Sequence, residues 1–179
     1  MKKLILTAAF GLLTAIGIVQ PAQAKETQVG SLKIEHGFAI ETRPGQPNGA
    51  AFVDVANRGK QADRLLSVSF DKAVAERGEL HTMKHEGGKM IMREVPKFEI
   101  QAGGKLALKP GADHLMMIGI KEPLKAGQTI KATLKFENAG TVVVDLKVKA
   151  MSDVHKHGHD DHHHNGQHHD GHHGKPAKH

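Results

Sequence analysis

From residue 141 the chain reads TVVVDLKVKA. Val144, Leu146 and Val148 alternate there with Asp145, Lys147 and Lys149. A period of two puts the apolar set on one face of a strand and the charged set on the other. TIKATLKFE (129–137) has the same character, with Ile130, Leu134 and Phe136 interrupting a polar series. Further short runs rich in Val, Ile, Leu and Phe span 32–42, 49–59, 62–70, 73–83, 89–95, 97–100, 105–109 and 114–120. Turn-forming stretches such as RPGQPNG and NRGKQ separate them. No window carries a helical apolar stripe of useful length, and there is no internal repeat. About nine short strands over some ~120 residues predict an all-β fold, an antiparallel β-sandwich.

The two ends depart from this pattern. MKKLILTAAFGLLTAIGIVQPAQA opens with two lysines, continues with an apolar run, and closes on Pro21 and the triplet Ala22-Gln23-Ala24. This is the pattern of a secretory signal cleaved after Ala24. The run is short for a membrane anchor, and no cysteine at the cleavage point offers a lipid attachment. No later segment has the ~20 apolar residues a span requires, so no stable membrane insertion is expected. At the other end, residues 155–179 hold 11 of the 15 histidines and almost nothing apolar. Such a segment cannot bury a core, and a disordered tail is expected from 151 to 179. The organisation predicted is a signal peptide (1–24), one globular domain (25–150) and a His-rich tail (151–179).

Taking Lys2 and Lys3 from the 25 basic residues leaves 23 against 19 acidic ones, a mild excess. With no basic run interleaved with aromatics, nucleic acid is not an expected partner. The chain has no cysteine, hence no disulfide and no thiolate chemistry. No Ser, His and acid set at a recognisable spacing appears, nor a phosphate loop, so an enzyme is not expected.

The candidate chemistry lies between residues 81 and 117. Five of the seven methionines fall between Met83 and Met117, beside three of the four histidines outside the tail. Alternation puts His81 with Met83, Met90 with Met92, and His114 with Met116 on shared faces. Met117 then points the other way, into the core with Leu115. KHEGGK reads as a hairpin turn that brings the first two pairs together. Methionine is common core filling, but three His/Met pairs in one stretch favour a metal site. Thioether sulfur is soft and uncharged and imidazole is borderline, a combination that suits Cu(I); Zn²⁺ takes histidine readily but thioether rarely. Asp113, next to His114, is expected to end a turn or orient the imidazole rather than to form a catalytic pair.

The spacing His81, ten residues, Met92, twenty-one residues, His114, one residue, Met116 resembles the signature of the PCuAC family of periplasmic copper chaperones. Longer stretches are similar to it too: GAAFVDVANRGKQADRLLSVSF, GELHTM, MIMREVPKFEIQAGGKLALKPGADHLMMIGI and PLKAGQTIKATLKFENAGTVVVDLKV. The likeness covers roughly residues 30–150. It implies a cupredoxin-like Greek-key β-sandwich that holds Cu(I) through His81, Met92, His114 and Met116, with Met83 as an optional neighbour. It also implies delivery to the copper A centre in subunit II of cytochrome c oxidase, directly or with Sco-type proteins. Met90 and His85 lie outside the motif and are expected beside the site or in solvent. A periplasmic monomer is expected.

The tail is a second metal candidate. His155, His157, His159, His162, His163, His164, His168, His169, His172 and His173 are closely spaced, and with no thioether after Met151 they suit Cu(II), Zn(II) or Ni(II). The tail is expected to capture Cu(II) and to release it as pH falls through about 6.5. Two other functions fit the sequence. One is a zinc, nickel or copper buffering and tolerance protein acting through the tail. The other is a β-sandwich interaction module with incidental metal.

Overall fold

The structure is a computed structural model and describes residues 26–156, with side chains as far as Val154. The expected signal peptide, its cleavage after Ala24 and the tail histidines from His157 onward lie outside the described residues, as does the side chain of His155. Eleven strands run in the order β1 (Thr27–Val29), β2 (Leu32–Ile40), β3 (Asn48–Asn57), β4 (Asp63–Phe70), β5 (Ala75–Glu86), β6 (Lys89–Glu94), β7 (Phe98–Ile100), β8 (Lys105–Ala107), β9 (His114–Ile120), β10 (Thr129–Phe136) and β11 (Thr141–Lys149). One short helix, α1 (Met151–Lys156), follows where the sequence suggests the start of a disordered tail.

The strands hydrogen-bond in one open path, β6-β5-β9-β3-β2-β11-β10-β4-β7, with β1 added to β2 and β8 to β3. The path curls over, so that β4 packs against β5. Gly78 marks the tightest point of this packing. A Cβ there would stand 2.6 Å from the Val68 carbonyl oxygen, which only a residue without a side chain allows. The architecture is all-β, as expected, with one departure from a purely antiparallel scheme. The β11–β2 pair is parallel, with Lys147, Val148 and Lys149 opposite Phe38, Ala39 and Ile40.

The curled sheet encloses a core led by Phe136, Leu32, Leu65, Ile100, Leu115, Met117, Leu134 and Leu146, all fully buried. Burying each of these large side chains contributes about 1.5–3 kcal/mol. The period-two pattern of β11 has the predicted outcome: Val144, Leu146 and Val148 are buried and Asp145, Lys147 and Lys149 exposed. In β10, Ala132 joins Ile130, Leu134 and Phe136 on the buried face. Buried polar side chains hold the turns. Asn57 accepts from the Gly59 amide at 2.9 Å and donates to the Gln61 carbonyl at 2.7 Å, closing the β3–β4 turn. Asp63 accepts from the backbone amides of Arg64, Asn138 and Ala139 at 2.7–3.0 Å, tying the β10–β11 turn to β4.

Candidate metal centre

The centre is built on β5 and its two neighbours. Gly87 and Gly88 both have positive φ, 57° and 76°, and join β5 to β6 in a two-residue turn. Positive φ at both central residues is the hairpin geometry whose twist matches that of the strands. The turn sets the register: Glu86 opposite Lys89, His85 opposite Met90, Met83 opposite Met92, and His81 opposite Glu94. On the other edge of β5, His81 lies opposite His114 and Glu79 opposite Met116. Opposed residues share a face, as do residues two apart on one strand. His81, Met83, Met92, His114 and Met116 therefore all belong to one face of the three-stranded unit β6-β5-β9, together with Glu79, His85 and Met90. Leu115 and Met117 are fully buried on the opposite, core-facing side, as alternation predicts.

The two histidines are the buried members of this face, 9% exposed for His81 and 6% for His114. Their ring centroids are 5.7 Å apart, and the buried Phe52 ring lies 6.4 Å beyond His114. Each imidazole has one nitrogen engaged by the protein. His114 Nδ1 is 2.9 Å from the Ala112 carbonyl oxygen, an acceptor, so Nδ1 carries the proton and Nε2 keeps its lone pair. His81 Nε2 is 2.8 Å from Glu79 Oε2, and the carboxylate likewise draws the proton to that nitrogen. His81 Nδ1 is left buried with no hydrogen-bond partner. A buried polar atom without a partner costs about 1–3 kcal/mol, and a bound cation would remove that cost. A partner that fixes the tautomer of a ligating histidine from behind is a recurrent feature of metal sites.

Glu79 itself is mostly shielded, and it also accepts from Arg77 Nε at 2.7 Å. The hydrogen bond with His81, then that with Arg77, holds its carboxyl below the ordinary carboxylate range. The result is a chain, Arg77 to Glu79 to His81. Glu79 lies outside the His/Met spacing, although its position two residues before His81 places it on the same face. Asp113 takes the first of the two parts expected, ending a turn, while the Ala112 carbonyl rather than Asp113 engages the His114 ring. Asp113 Oδ1 accepts from Thr82 Oγ1 at 2.6 Å, and its carbonyl accepts from Lys109. It closes the turn before β9 and fastens it to β5, which sustains the His81–His114 pairing.

The methionines become more exposed toward the hairpin. Met83 and Met116 are half-buried, while Met92 and Met90 are 45% and 44% exposed, and His85 is exposed. Among the described residues no three His, Cys, Asp or Glu side chains gather as a metal-binding set. Besides Glu94 opposite His81, the further donors that the register brings to the histidine pair are thioethers. Such a donor set, two imidazoles and soft sulfur, fits a soft monovalent cation.

The family model described as "Putative lipoprotein LpqE-like" matches residues 32–148. A protein of Leifsonia xyli subsp. xyli named "Putative lipoprotein Lxx21020" is 32% identical over 146 residues, 81% of this chain and 87% of that protein. Among solved structures, "Copper-bound PCuAC domain from PmoF2" matches with a TM-score of 0.59 at 25% identity, over 70% of this chain and 98% of that one. "Solution structure of CuI-DR1885 from Deinococcus Radiodurans" matches with a TM-score of 0.53 at 32% identity, over 72% and 81%. Among the described residues no helix is long and apolar enough to cross a membrane.

Proposed function

Because the chain belongs to the PCuAC family, matched here through its LpqE-like model, we propose that it is an exported copper chaperone, a carrier rather than a catalyst, with Cu(I) as cargo. His81 and His114 hold the ion through His81 Nδ1 and His114 Nε2, and Met92 and Met116 complete the set, with Met83 beside them. The observation that carries this reading is the buried pair of facing imidazoles. Each has one nitrogen engaged by the protein and one left over, and His81 Nδ1 has no partner at all. The copper-bound neighbours of the same fold support it.

The donor set also suits release. Thioethers carry no proton to lose and bind less firmly than thiolates, so an acceptor can displace them one at a time. Met92, which is half-exposed, is where such an exchange would begin. The acceptor proposed is the copper A centre in subunit II of cytochrome c oxidase, reached directly or with Sco-type proteins in the periplasm. Residues 1–24 serve as the export signal, 25–150 as the carrier, and the His-rich stretch within 151–179 captures Cu(II).

The test is a Cu(I) competition titration against a chromogenic chelator, with the mature chain beside a Met92→Ala, Met116→Ala variant. The expected result is one tight Cu(I) per chain, lost in the variant. Equal affinity in both would show that the methionines are not ligands.

A further inference from the structure

The donor face does not stop at the proposed carrier site. β9 supports β5 only as far as the His81–His114 pair; beyond it, β5 and β6 continue as a two-stranded ribbon to the Gly87-Gly88 turn. Two more cross-strand pairs lie on the same face of that ribbon, Met83 with Met92 and then His85 with Met90. The opposite face is different in kind. It carries Lys84, Ile91 and an ion pair between Arg93 and Glu86. Along the ribbon Lys84, Glu86, Lys89 and Arg93 thus share one face, and the soft donors share the other, with Glu94 at its base opposite His81.

Packing does not account for the outermost pair. Met90 is 44% exposed and His85 is exposed, so neither is placed there to fill a core. Directly opposed residues of a hairpin have Cβ atoms about 4.5–5.5 Å apart, a separation at which an imidazole and a thioether converge on one ion. Successive pairs along the ribbon are about 6.6–6.8 Å apart, within reach of the flexible methionine side chains.

We propose that His85 and Met90 form a second, outer Cu(I) site at the hairpin tip, which passes the ion inward to His81 and His114 by way of Met83 and Met92. The inference rests on the carrier reading above. Copper stays Cu(I) throughout. At each step one thioether or imidazole bond forms as another breaks, and no proton or electron moves. The exposed tip is where a donor or acceptor protein reaches the ion, and the buried histidines are where it is kept.

The probe is Cu(I) added anaerobically to the mature chain with methyl-labelled methionine, followed by nuclear magnetic resonance. In the wild type, the Met92 and Met116 methyl resonances are expected to shift during the first equivalent and Met90 with further Cu(I). In a His81→Ala, His114→Ala variant, Met90 should still shift although tight binding is lost. In a His85→Ala, Met90→Leu variant, the first equivalent should remain and the outer one disappear. Since these two residues are exposed on a ribbon, their replacement leaves the core intact. An unmoved Met90 resonance in both wild type and inner variant overturns the outer site. Tight binding that survives in the inner variant overturns the carrier reading instead.

Discussion

Glu79 Oε2 stands 2.8 Å from His81 Nε2, and the other nitrogen of the same ring is buried without a partner. The carboxylate thereby draws the proton to Nε2 and leaves the lone pair of Nδ1 free. Glu79→Gln keeps the size of the side chain but removes the charge that selects this tautomer. The expected outcome is a fall in Cu(I) affinity of about 10- to 100-fold, the usual effect of losing such a partner, with little change in thermal stability. Chelator competition on the mature chain measures the first and thermal unfolding the second. Unchanged affinity would mean that the ring is held by packing alone.

Asp63 predicts a purely structural effect. Its carboxylate is 4% exposed and accepts three backbone amides, from Arg64, Asn138 and Ala139. Asp63→Ala leaves those amides unsatisfied in a partly buried turn, a loss of about 2–3 kcal/mol. Denaturant unfolding should register this, while copper binding on the distant β6-β5-β9 face stays the same. A loss under about 0.5 kcal/mol would mean that water replaces the carboxylate.

The pH dependence of apo stability follows from the surface carboxylates. Hydrogen bonds from lysine hold the carboxyls of Glu35, Glu76 and Glu99 below the ordinary value, through Lys33, Lys121 and Lys97 in turn. A carboxyl depressed in the folded state adds stability that is fully present above its unfolded value. That stability is lost as pH falls through the folded one. The melting temperature should therefore stay level from pH 7 to about 5 and decline below about 4.5. Added salt should weaken the decline, because these groups are open to solvent. A melting temperature unchanged down to pH 3 would contradict the account.

Much of this architecture is legible in residue order, and what is not has identifiable causes. β10 and β11 announce themselves because one face of each is buried and the other wet. β9 runs over the same residues, 114–120, that its apolar run predicts. β1 is three residues long and exists only through its pairing with β2. The parallel β11–β2 contact joins segments about a hundred residues apart and leaves no local trace. At the site, the histidine and methionine positions show in the spacing, but their grouping depends on a hairpin register that the Gly87-Gly88 turn decides. Glu79 was within reach of the same alternation. The Ala112 carbonyl was not, since a backbone acceptor has no signature in residue identity, and Asp113 is drawn to Thr82 by a turn that spacing does not reveal.

The central claim is that nitrogen and sulfur meet on one copper ion. X-ray absorption at the copper edge, on the mature chain carrying one Cu(I), reads this directly. The account predicts nitrogen and sulfur neighbours together, with the sulfur contribution reduced in a Met92→Leu, Met116→Leu variant. Nitrogen neighbours alone in the wild type would contradict it and move the copper to the histidines by themselves.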